Sequence, residues 1–255
     1  MFEKRTVIRK TWGDNAWLSR NNVTLLFFIG RARGGSTDNR TSENRTSVNE
    51  KTQRLIEKEA ILYRDIVQES YIDSYGNLSY KSLSIIKWVT TSCPHAKYIL
   101  KADTDMYINI PLLVQTLKAH TDPNVKFNTF IMGQALPNSQ PFRDPLSKWY
   151  VPYSRFNGSV YPNFVSGTAY ALTTPAAKLL YEASMRVPFF WLEDVYLTGF
   201  CAVLANVTII HSPLFSLYKL STSGCAFRSM ISGHEYSTSE LETIHRELTN
   251  SSLVC

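Results

Sequence analysis

Apolar residues along the chain form short runs that alternate with helical patterns. The run Val23 to Gly30 (VTLLFFIG) has bulky side chains at consecutive positions, which is typical of a strand buried on both faces. Further strand patterns cover 65–69, 97–102, 128–134 and 206–211, and helical spacing covers 50–63, 77–91, 111–119, 174–186 and 193–204. Strands alternating with helices predict an α/β fold with a mixed, mainly parallel sheet.

Two stretches lack such a pattern. Residues 34–49 (GGSTDNRTSENRTSVN) are almost entirely polar and predict an exposed loop. Residues 136–164 are rich in proline and aromatic side chains, and this stretch is long enough to form a functional loop. Because neither stretch has the character of a linker between domains, we predict a single domain over 1–255.

Composition and charge narrow the class of protein. The 255 residues are 44% hydrophobic and 19% charged, which is typical of a globular chain. The longest apolar run is too short to cross a bilayer. The charged opening segment does not have the pattern of a signal peptide. The net charge of +6 comes from the first 64 residues, with 13 Lys/Arg against 7 Asp/Glu, since the remainder has 14 of each. This local excess forms no dense basic stripe and does not indicate nucleic-acid binding. It fits a solvated surface or arginines that meet an anionic small molecule.

Cysteines and glycosylation sequons indicate the compartment. The four cysteines form no CxxC pair, and their even number is compatible with two disulfides whose pairing the sequence leaves open. Asn-x-Ser/Thr sequons are more frequent than chance would give in a chain of this composition, which predicts a luminal or extracellular protein. The sequons begin at Asn22, Asn39, Asn44, Asn77, Asn157, Asn206 and Asn250.

Asp103 and Asp105 carry the strongest local signal for chemistry. They follow the apolar strand pattern YIL, are separated by one residue, and therefore point to the same side. Ligands of open α/β sheets bind at the carboxyl ends of strands, and paired carboxylates suit Mg²⁺ or Mn²⁺. A polar turn after a strand is the alternative.

Glu193 and Asp194 form a second acidic pair. They follow the bulky run PFFWL and open a predicted helix, where acids also complement the helix dipole without any catalytic role. The functional interpretation is a general base whose carboxyl is partly desolvated by the aromatic run, which would raise its pKa.

Aromatic residues and one histidine complete the set of candidates. Trp149 and Tyr153 precede the small residues Ser166 to Thr168, which predict a turn that a ligand can approach; aromatic faces suit sugar binding, although large aromatics more often belong to the core. His211 follows a strand-like run, where a structural role is more common than metal ligation.

Seven segments in one order carry a family resemblance. They are RTVIRKTWG at 5–13, FFIG at 27–30, YRDIVQESYIDSYGNLSYKSL at 63–83, KADTDMYIN at 101–109, KWYVP at 148–152, YPNFVSGTAYALT at 161–173 and LEDVYLTG at 192–199. Together they resemble the β-1,3-galactosyltransferase family (glycosyltransferase family 31), which includes β-1,3-N-acetylglucosaminyltransferases and fringe-like enzymes. The resemblance covers residues 5–212.

The resemblance implies a GT-A fold, a Rossmann-like domain that binds a UDP-sugar and Mn²⁺ or Mg²⁺. It implies an inverting hexosyltransferase, a galactosyltransferase first and an N-acetylglucosaminyltransferase second, acting on the 3-hydroxyl of an acceptor glycan on a glycoprotein or glycolipid. Family members are type II Golgi membrane proteins, so we expect an N-terminal anchor outside this segment. The competing hypothesis is a non-catalytic relative that binds sugar or acts as a chaperone; such a protein would be expected to lack one of the two acidic motifs.

The resemblance also assigns roles by position in the motifs. Asp194 would be the catalytic base, with Glu193 as second choice. The metal would be held by Asp103 and Asp105, with His211 completing its shell. Nucleotide-side motifs contain Arg5, Arg9, Asp65, Lys81 and Lys101, and the acceptor or sugar pocket would include Trp149, Tyr153, Gly167 and Trp191.

Overall fold

The computed structural model describes residues 2–32, 42–122, 124, 128–250, 252 and 254–255. Its α-helices are α1 (Phe2–Lys10), α2 (Asn15–Arg20), α3 (Ser42–Tyr63), α4 (Leu78–Ser92), α5 (Ile110–Ala119), α6 (Thr174–Ser184), α7 (Ala202–Ala205) and α8 (Thr238–Leu248). Its strands are β1 (Phe27–Arg31), β2 (Ile66–Ile72), β3 (Tyr98–Ala102), β4 (Tyr107–Ile108), β5 (Phe130–Leu136), β6 (Phe164–Thr173), β7 (Thr208–His211) and β8 (Ser232–Gly233). A π-helical segment, Val195–Cys201, leads into α7.

The central sheet is mixed, as predicted. Its strand order is β3-β6-β5-β7, with β6 antiparallel to both neighbours and β5 parallel to β7. Three of its four strands therefore run in the same direction, and only β6 is opposed. Strands β1 and β2 form a separate parallel pair, and β4 pairs antiparallel with β8. These elements confirm the α/β fold class.

Two hydrophobic clusters cover the two faces of the central sheet. Successive side chains of a strand point to opposite faces. On β6, Ala169 and Ala171 accordingly belong to one cluster, which includes buried residues of α1, α5 and α8, while Tyr170 and Leu172 belong to the other, which includes buried residues of α6 and the π-helical segment. Helices thus lie on both sides of the sheet.

Local sequence explains several helix starts. Asn109 caps α5 by accepting a hydrogen bond from Leu112 N, and Thr173 caps α6 through Ala176 N. Both helices have proline in their first turn, where its missing N–H costs nothing. Helix α8 begins with a capping box between Ser237 and Glu240.

Strand β6 corrects one prediction. The small residues Ser166 to Thr168 were predicted to form a turn, but they lie inside the ten-residue strand β6. The pairing of β6 with β5 shifts register at this segment. Its backbone instead binds the loop after β3, where Asp103 N donates a hydrogen bond to Thr168 O at 3.0 Å. Small side chains here leave room beside the second acidic pair.

Helix α3 corrects the prediction of a loop over 34–49. It begins at Ser42, so 42–49 of the predicted loop is helical, while 34–41 lies outside the described residues. The helical spacing over 50–63 is confirmed, but its apolar residues are not the buried ones, because Leu55 and Leu62 are 58% and 70% exposed and Glu59 is 3% exposed. Glu59 is turned inward by two arginines of α1, and this charge pairing outweighs the weak apolar pattern.

The C-terminal segment, outside the motifs, is integral to the fold. Phe215, Phe227 and Ile244 are buried in the cluster that also contains residues of α1, and a disulfide joins Cys225 to Cys255. Cys93 is free and exposed, and Cys201 is free and buried. Among the described residues we find no helix both long enough and apolar enough to cross a bilayer.

Candidate active site

A cluster of three possible metal ligands lies where β3 ends. The side-chain ligand atoms of Asp103, Asp105 and His234 all fall within 4.8 Å of one another, and all three residues are partly exposed. The loop between β3 and β4, which contains both aspartates, is fixed by two backbone hydrogen bonds. Asp103 N donates to the carbonyl of Thr168 in β6, and Asp105 O accepts from Tyr236 N at 3.0 Å. Two carboxylates and an imidazole form a donor set that suits Mn²⁺.

Two basic side chains face the Asp105 carboxylate. His234 Nε2 lies 3.5 Å from Oδ1, and Lys4 Nζ on α1 lies 3.5 Å from Oδ2. The hydrogen bond from His234, assisted by Lys4, lowers the pKa of Asp105 to about 2, and the same contact raises the pKa of His234. The carboxylate therefore stays ionised and attractive to a cation.

The histidine in this cluster is not the one predicted. His211, at the end of β7, is exposed, and its Nδ1 accepts a hydrogen bond from Ala135 N at 3.3 Å. Strand β7 lies three positions from β3 in the sheet, which is about 14 Å at the usual strand spacing. His234 arrives instead because β8 pairs with β4, directly after Asp105. No local pattern in the sequence marks this long-range pairing.

The second acidic pair lies between β6 and the π-helical segment. Asp194 accepts hydrogen bonds from Gly167 N (3.2 Å, to Oδ2) and Val195 N (2.9 Å, to Oδ1). Glu193 is 5% exposed and its Oε1 accepts from Tyr170 OH at 2.6 Å. A side chain at Gly167 would place Cβ 3.2 Å from Glu193 Oε2, so only glycine leaves the two carboxylates undisturbed.

Burial shifts both carboxyls of this pair in the direction expected from the sequence. Desolvation raises the pKa of Glu193 and of Asp194, and backbone hydrogen bonds offset part of the shift at Asp194. Lys101 Nζ lies 3.9 Å from Glu193 Oε2 and partly offsets the shift of Glu193. The pKa of Tyr170 is well above its usual value because the ring is buried beside Glu193. Asp194 is the more accessible of the two acids.

Lys101 and Lys81 each contact an aspartate rather than open solvent. Lys101 Nζ donates to Asp103 Oδ1 at 2.7 Å, and Lys81 Nζ donates to Asp73 Oδ1 at 2.7 Å. The other oxygen of Asp73 accepts from Gly30 N at 3.2 Å, which ties α4 to the carboxyl ends of β1 and β2. Lys81 is partly exposed there and stays a candidate for nucleotide contact, whereas Lys101 is buried.

The predicted nucleotide-side residues Arg5, Arg9 and Asp65 lie in an ion-pair network instead of an open cleft. Arg5 Nε donates to Glu59 Oε1 at 2.8 Å, and Arg9 Nε donates to Asp65 Oδ2 at 2.7 Å. The Arg9 guanidinium also lies over the ring of Tyr63, 3.9 Å from its centroid. These contacts join α1 to α3 and to the start of β2, so the network has a structural role in this conformation.

An aromatic wall contains two of the predicted sugar-pocket residues. Trp149 Nε1 donates to Tyr75 OH at 2.8 Å, and the Tyr75 ring packs edge-on against Trp191 with centroids 6.1 Å apart. Tyr153 is elsewhere on the same loop, 69% exposed, with the Arg143 guanidinium 4.0 Å above its ring.

Tyr75 was missed from the sequence, although it lies within one of the family-like segments. Burial raises its pKa, and the negative charges of Asp194 and Asp103 add to the shift. Tyr75 and Trp149 are 49% and 39% exposed, so their faces are accessible to a ligand.

Comparison with known proteins gives the family directly. The profile of the family described as Galactosyltransferase matches residues 3–213. The protein "Beta-1,3-galactosyltransferase 1" of Mus musculus is 32% identical over 250 residues, covering 98% of this chain and 71% of the relative. "Beta-1,3-galactosyltransferase 2" of Homo sapiens is 31% identical over 244 residues, covering 94% and 54%.

One solved structure shows a weaker similarity. It is described as "Crystal structure of a glycosyltransferase involved in the glycosylation of the major capsid of PBCV-1", with a TM-score of 0.37 and 14% sequence identity over 88% of this chain and 100% of that chain. An overlap at that level supports no inference. The family match and the sequence identity do, and they establish that the chain belongs to the β-1,3-galactosyltransferase family, glycosyltransferase family 31, and is a glycosyltransferase of that family.

Proposed function

We propose that the chain transfers galactose, or as second choice N-acetylglucosamine, from a UDP-sugar to the 3-hydroxyl of an acceptor glycan in β-1,3 linkage, with inversion and with a divalent cation. One observation carries the proposal. Two acidic pairs lie on either side of Lys101, and the pKa of one carboxyl in each is shifted, downwards at Asp105 and upwards at Asp194. One pair is suited to a cation and the other to a proton.

The first pair supports the cation-dependent part of the proposal. Asp103, Asp105 and His234 would hold Mn²⁺ (or Mg²⁺), since two anionic oxygens and an imidazole converge within 4.8 Å. When bound, the cation would act as a Lewis acid on the diphosphate and offset the charge of the departing UDP. His234 takes the place in this proposal that the sequence suggested for His211.

The second pair supports general-base catalysis by Asp194. Its two oxygens are oriented by backbone N–H groups of Gly167 and Val195, and burial raises its pKa towards the working range of a base. The acceptor 3-hydroxyl oxygen would attack the anomeric carbon while the bond from that carbon to UDP breaks. The bonding electrons leave with the diphosphate, and the hydroxyl proton passes to Asp194. Glu193 is less suited because it is only 5% exposed, whereas Asp194 is partly exposed and so more accessible to an acceptor.

The aromatic wall supports acceptor binding. Trp191 precedes Asp194 by three residues and packs with Tyr75, which is hydrogen-bonded to Trp149; all three rings are partly exposed, and sugar C–H faces pack well on such rings. The Lys81–Asp73 pair at the ends of β1 and β2 lies where open α/β sheets bind nucleotides, so we assign the UDP side to this region.

The same proposal includes the compartment. The sequons and the Cys225–Cys255 disulfide favour an oxidising, luminal environment. We propose a Golgi-luminal domain of a type II membrane protein, as the family resemblance implies. Extraction of the endogenous protein with carbonate and detergent, combined with protease protection and glycosidase sensitivity, would test its anchoring and orientation.

The enzymatic proposal is tested with purified protein and a panel of donors. UDP-galactose, UDP-N-acetylglucosamine and UDP-glucose are each incubated with simple acceptor glycosides, with Mn²⁺ and with a chelator, and products are analysed by mass and linkage. We expect a β-1,3-linked product from UDP-galactose that disappears with the chelator. Glycan binding without transfer from any donor would contradict the proposal and favour the non-catalytic alternative.

A further inference from the structure

Lys101 is a buried cation between the two acidic pairs. It is the fourth residue of β3, and it shares a buried face with Ile99 because side chains of a strand alternate. Only 9% of Lys101 is exposed. A lysine in such a position loses its hydration, which is costly unless anionic or carbonyl partners replace the water.

The contacts of the Lys101 ammonium reach both pairs. On the cation side it donates to Asp103 Oδ1 at 2.7 Å. On the base side it donates to the carbonyl oxygen of Gly167 and lies 3.9 Å from Glu193 Oε2. Two carboxylates and a carbonyl oxygen therefore surround the ammonium and replace the water that it loses on burial.

Gly167 links Lys101 to the proposed base, Asp194, by hydrogen bonds. Its carbonyl oxygen accepts from Lys101, while its N–H donates to Asp194 Oδ2 at 3.2 Å. In β6, Gly167 lies inside the register shift with β5 and has no partner residue in the described ladders with β5 and β3. A continuous path of hydrogen bonds therefore runs from Asp103 through Lys101 and Gly167 to Asp194.

We propose that Lys101 is a positioning residue that couples the two acidic pairs: its ammonium orients the Gly167 backbone against Asp194 and at the same time competes with the divalent cation for Asp103. This inference rests on the proposed function. It replaces the nucleotide-binding role that the sequence suggested for Lys101. It also predicts a result that a purely stabilising role does not. Loss of the Lys101 charge should strengthen cation binding at Asp103 but weaken catalysis by Asp194.

The test compares Lys101→Met with wild type in two measurements. Mn²⁺ binding to the donor-free protein is followed by electron paramagnetic resonance of the free ion, and kcat is measured with the active UDP-sugar at saturating acceptor. We expect Mn²⁺ to bind about three- to tenfold more tightly, because a positive charge beside Asp103 is removed. We expect kcat to fall about 100-fold, because Asp194 is no longer held in place.

Two further variants separate the effect on the proposed base from the effect on Mn²⁺ binding. In Gly167→Ala the added Cβ would lie 3.2 Å from Glu193 Oε2 and 3.3 Å from Asp194 Cβ, while Asp103 and Lys101 keep their contact. It should lower kcat and leave Mn²⁺ binding unchanged. Lys97→Met removes an exposed lysine just before β3 and is the matched control, expected to change neither quantity.

The outcomes are decisive in each direction. Lys101→Met with kcat within threefold of wild type, or with Mn²⁺ binding unchanged or weaker, contradicts the proposal. If methionine prevents folding, Lys101→Gln is measured instead. The same signs are expected, because its neutral amide removes the positive charge beside Asp103 and its shorter side chain no longer reaches both oxygens. Wild-type protein that neither binds Mn²⁺ nor transfers a sugar would contradict the proposed function itself, which separates that failure from failure of the Lys101 role.

Discussion

The two acidic pairs of this protein contain nearly the same chemical groups in opposite environments. The side chains of Asp103 and Asp105 are 41% and 33% exposed, and Asp105 faces the cationic groups of His234 and Lys4. The side chain of Glu193 is 4% exposed, and it lies with Asp194 between buried strands and the π-helical segment. The pKa of Asp105 is therefore lowered to about 2, whereas the pKa values of Glu193 and Asp194 are raised.

The difference shows that carboxylate chemistry is set by partners and burial rather than by residue type. A carboxylate that stays ionised at all working pH values is a good cation ligand and a poor base. A carboxyl whose pKa is raised by desolvation accepts a proton readily. Lys101 contacts both environments, so each of the following substitutions tests whether the two pairs are as different as their surroundings imply.

The largest effect is expected from Asp194→Asn. The amide keeps the size of the side chain but cannot accept the acceptor proton, so kcat should fall by about 10²- to 10⁴-fold. Mn²⁺ binding to the donor-free protein should stay within twofold of wild type, because Asp194 lies on the other side of Lys101. Both quantities are measured on the same preparation by single-turnover transfer and ion titration.

The matched control for this variant is Asp144→Asn, an exposed carboxylate on the loop between β5 and β6. It should leave transfer unchanged. Near-normal turnover of Asp194→Asn would exclude Asp194 as the base, and an equal loss in Glu193→Gln alone would move that role to Glu193.

The next effect distinguishes two histidines. His234→Gln should weaken Mn²⁺ binding at least about tenfold, because one of three converging ligands is lost. His211→Gln should leave Mn²⁺ binding unchanged, since His211 lies on an edge strand away from the aspartates. Ion titration of the two variants side by side provides the measurement. A loss of affinity in His211→Gln, with His234→Gln unaffected, would restore the assignment suggested by the sequence.

These histidines also show what the sequence could and could not predict. The cores of β3, α4, α5 and α6 were predicted within about two residues because local apolar periodicity determines them. Both acidic pairs were singled out as candidates because each follows a strong local apolar run. His234 was missed because its position depends on the pairing of β8 with β4, more than a hundred residues away.

Strand β6 and helix α8 were missed for a different reason. Ser166, Gly167 and Thr168 resemble a turn in sequence, yet residues just before and just after them pair with neighbouring strands and the chain continues through them as one strand, an example of tertiary context overriding local propensity. Helix α8 did have a local signal, since the pattern Ser237-x-x-Glu240 is followed by apolar residues at helical spacing, Leu241, Ile244 and Leu248.

A smaller effect is expected in the pH dependence of stability when Glu193 is neutralised. The folded-state pKa of Glu193 is raised above its usual 4.5, so the folded protein binds this proton more tightly than the unfolded chain does. Its contribution to the free energy of unfolding is fully present below about pH 4.5 and is lost as the pH rises through the raised value. Glu193→Gln should remove that loss.

The measurement is urea unfolding of wild type and Glu193→Gln between pH 4 and pH 8. The stability of the variant relative to wild type should increase with pH across the raised pKa. Glu182→Gln, which replaces an exposed glutamate on α6, should follow the wild-type profile. A relative stability that decreases with rising pH would mean that Lys101 holds Glu193 fully ionised and that the two acidic pairs are electrostatically alike.

The smallest effect is expected at the exposed edge of the first pair. Lys4 Nζ lies 3.5 Å from Asp105 Oδ2, and its side chain is 41% exposed, so the ion pair is screened by water. Lys4→Met should therefore tighten Mn²⁺ binding by at most about fivefold, equivalent to about 1 kcal/mol, without changing kcat. Lys10→Met, at the exposed end of the same helix, is the control and should change neither quantity. If Lys4→Met instead lowered kcat as far as Lys101→Met does, the effect of Lys101 on kcat could not be attributed to its burial between the two acidic pairs.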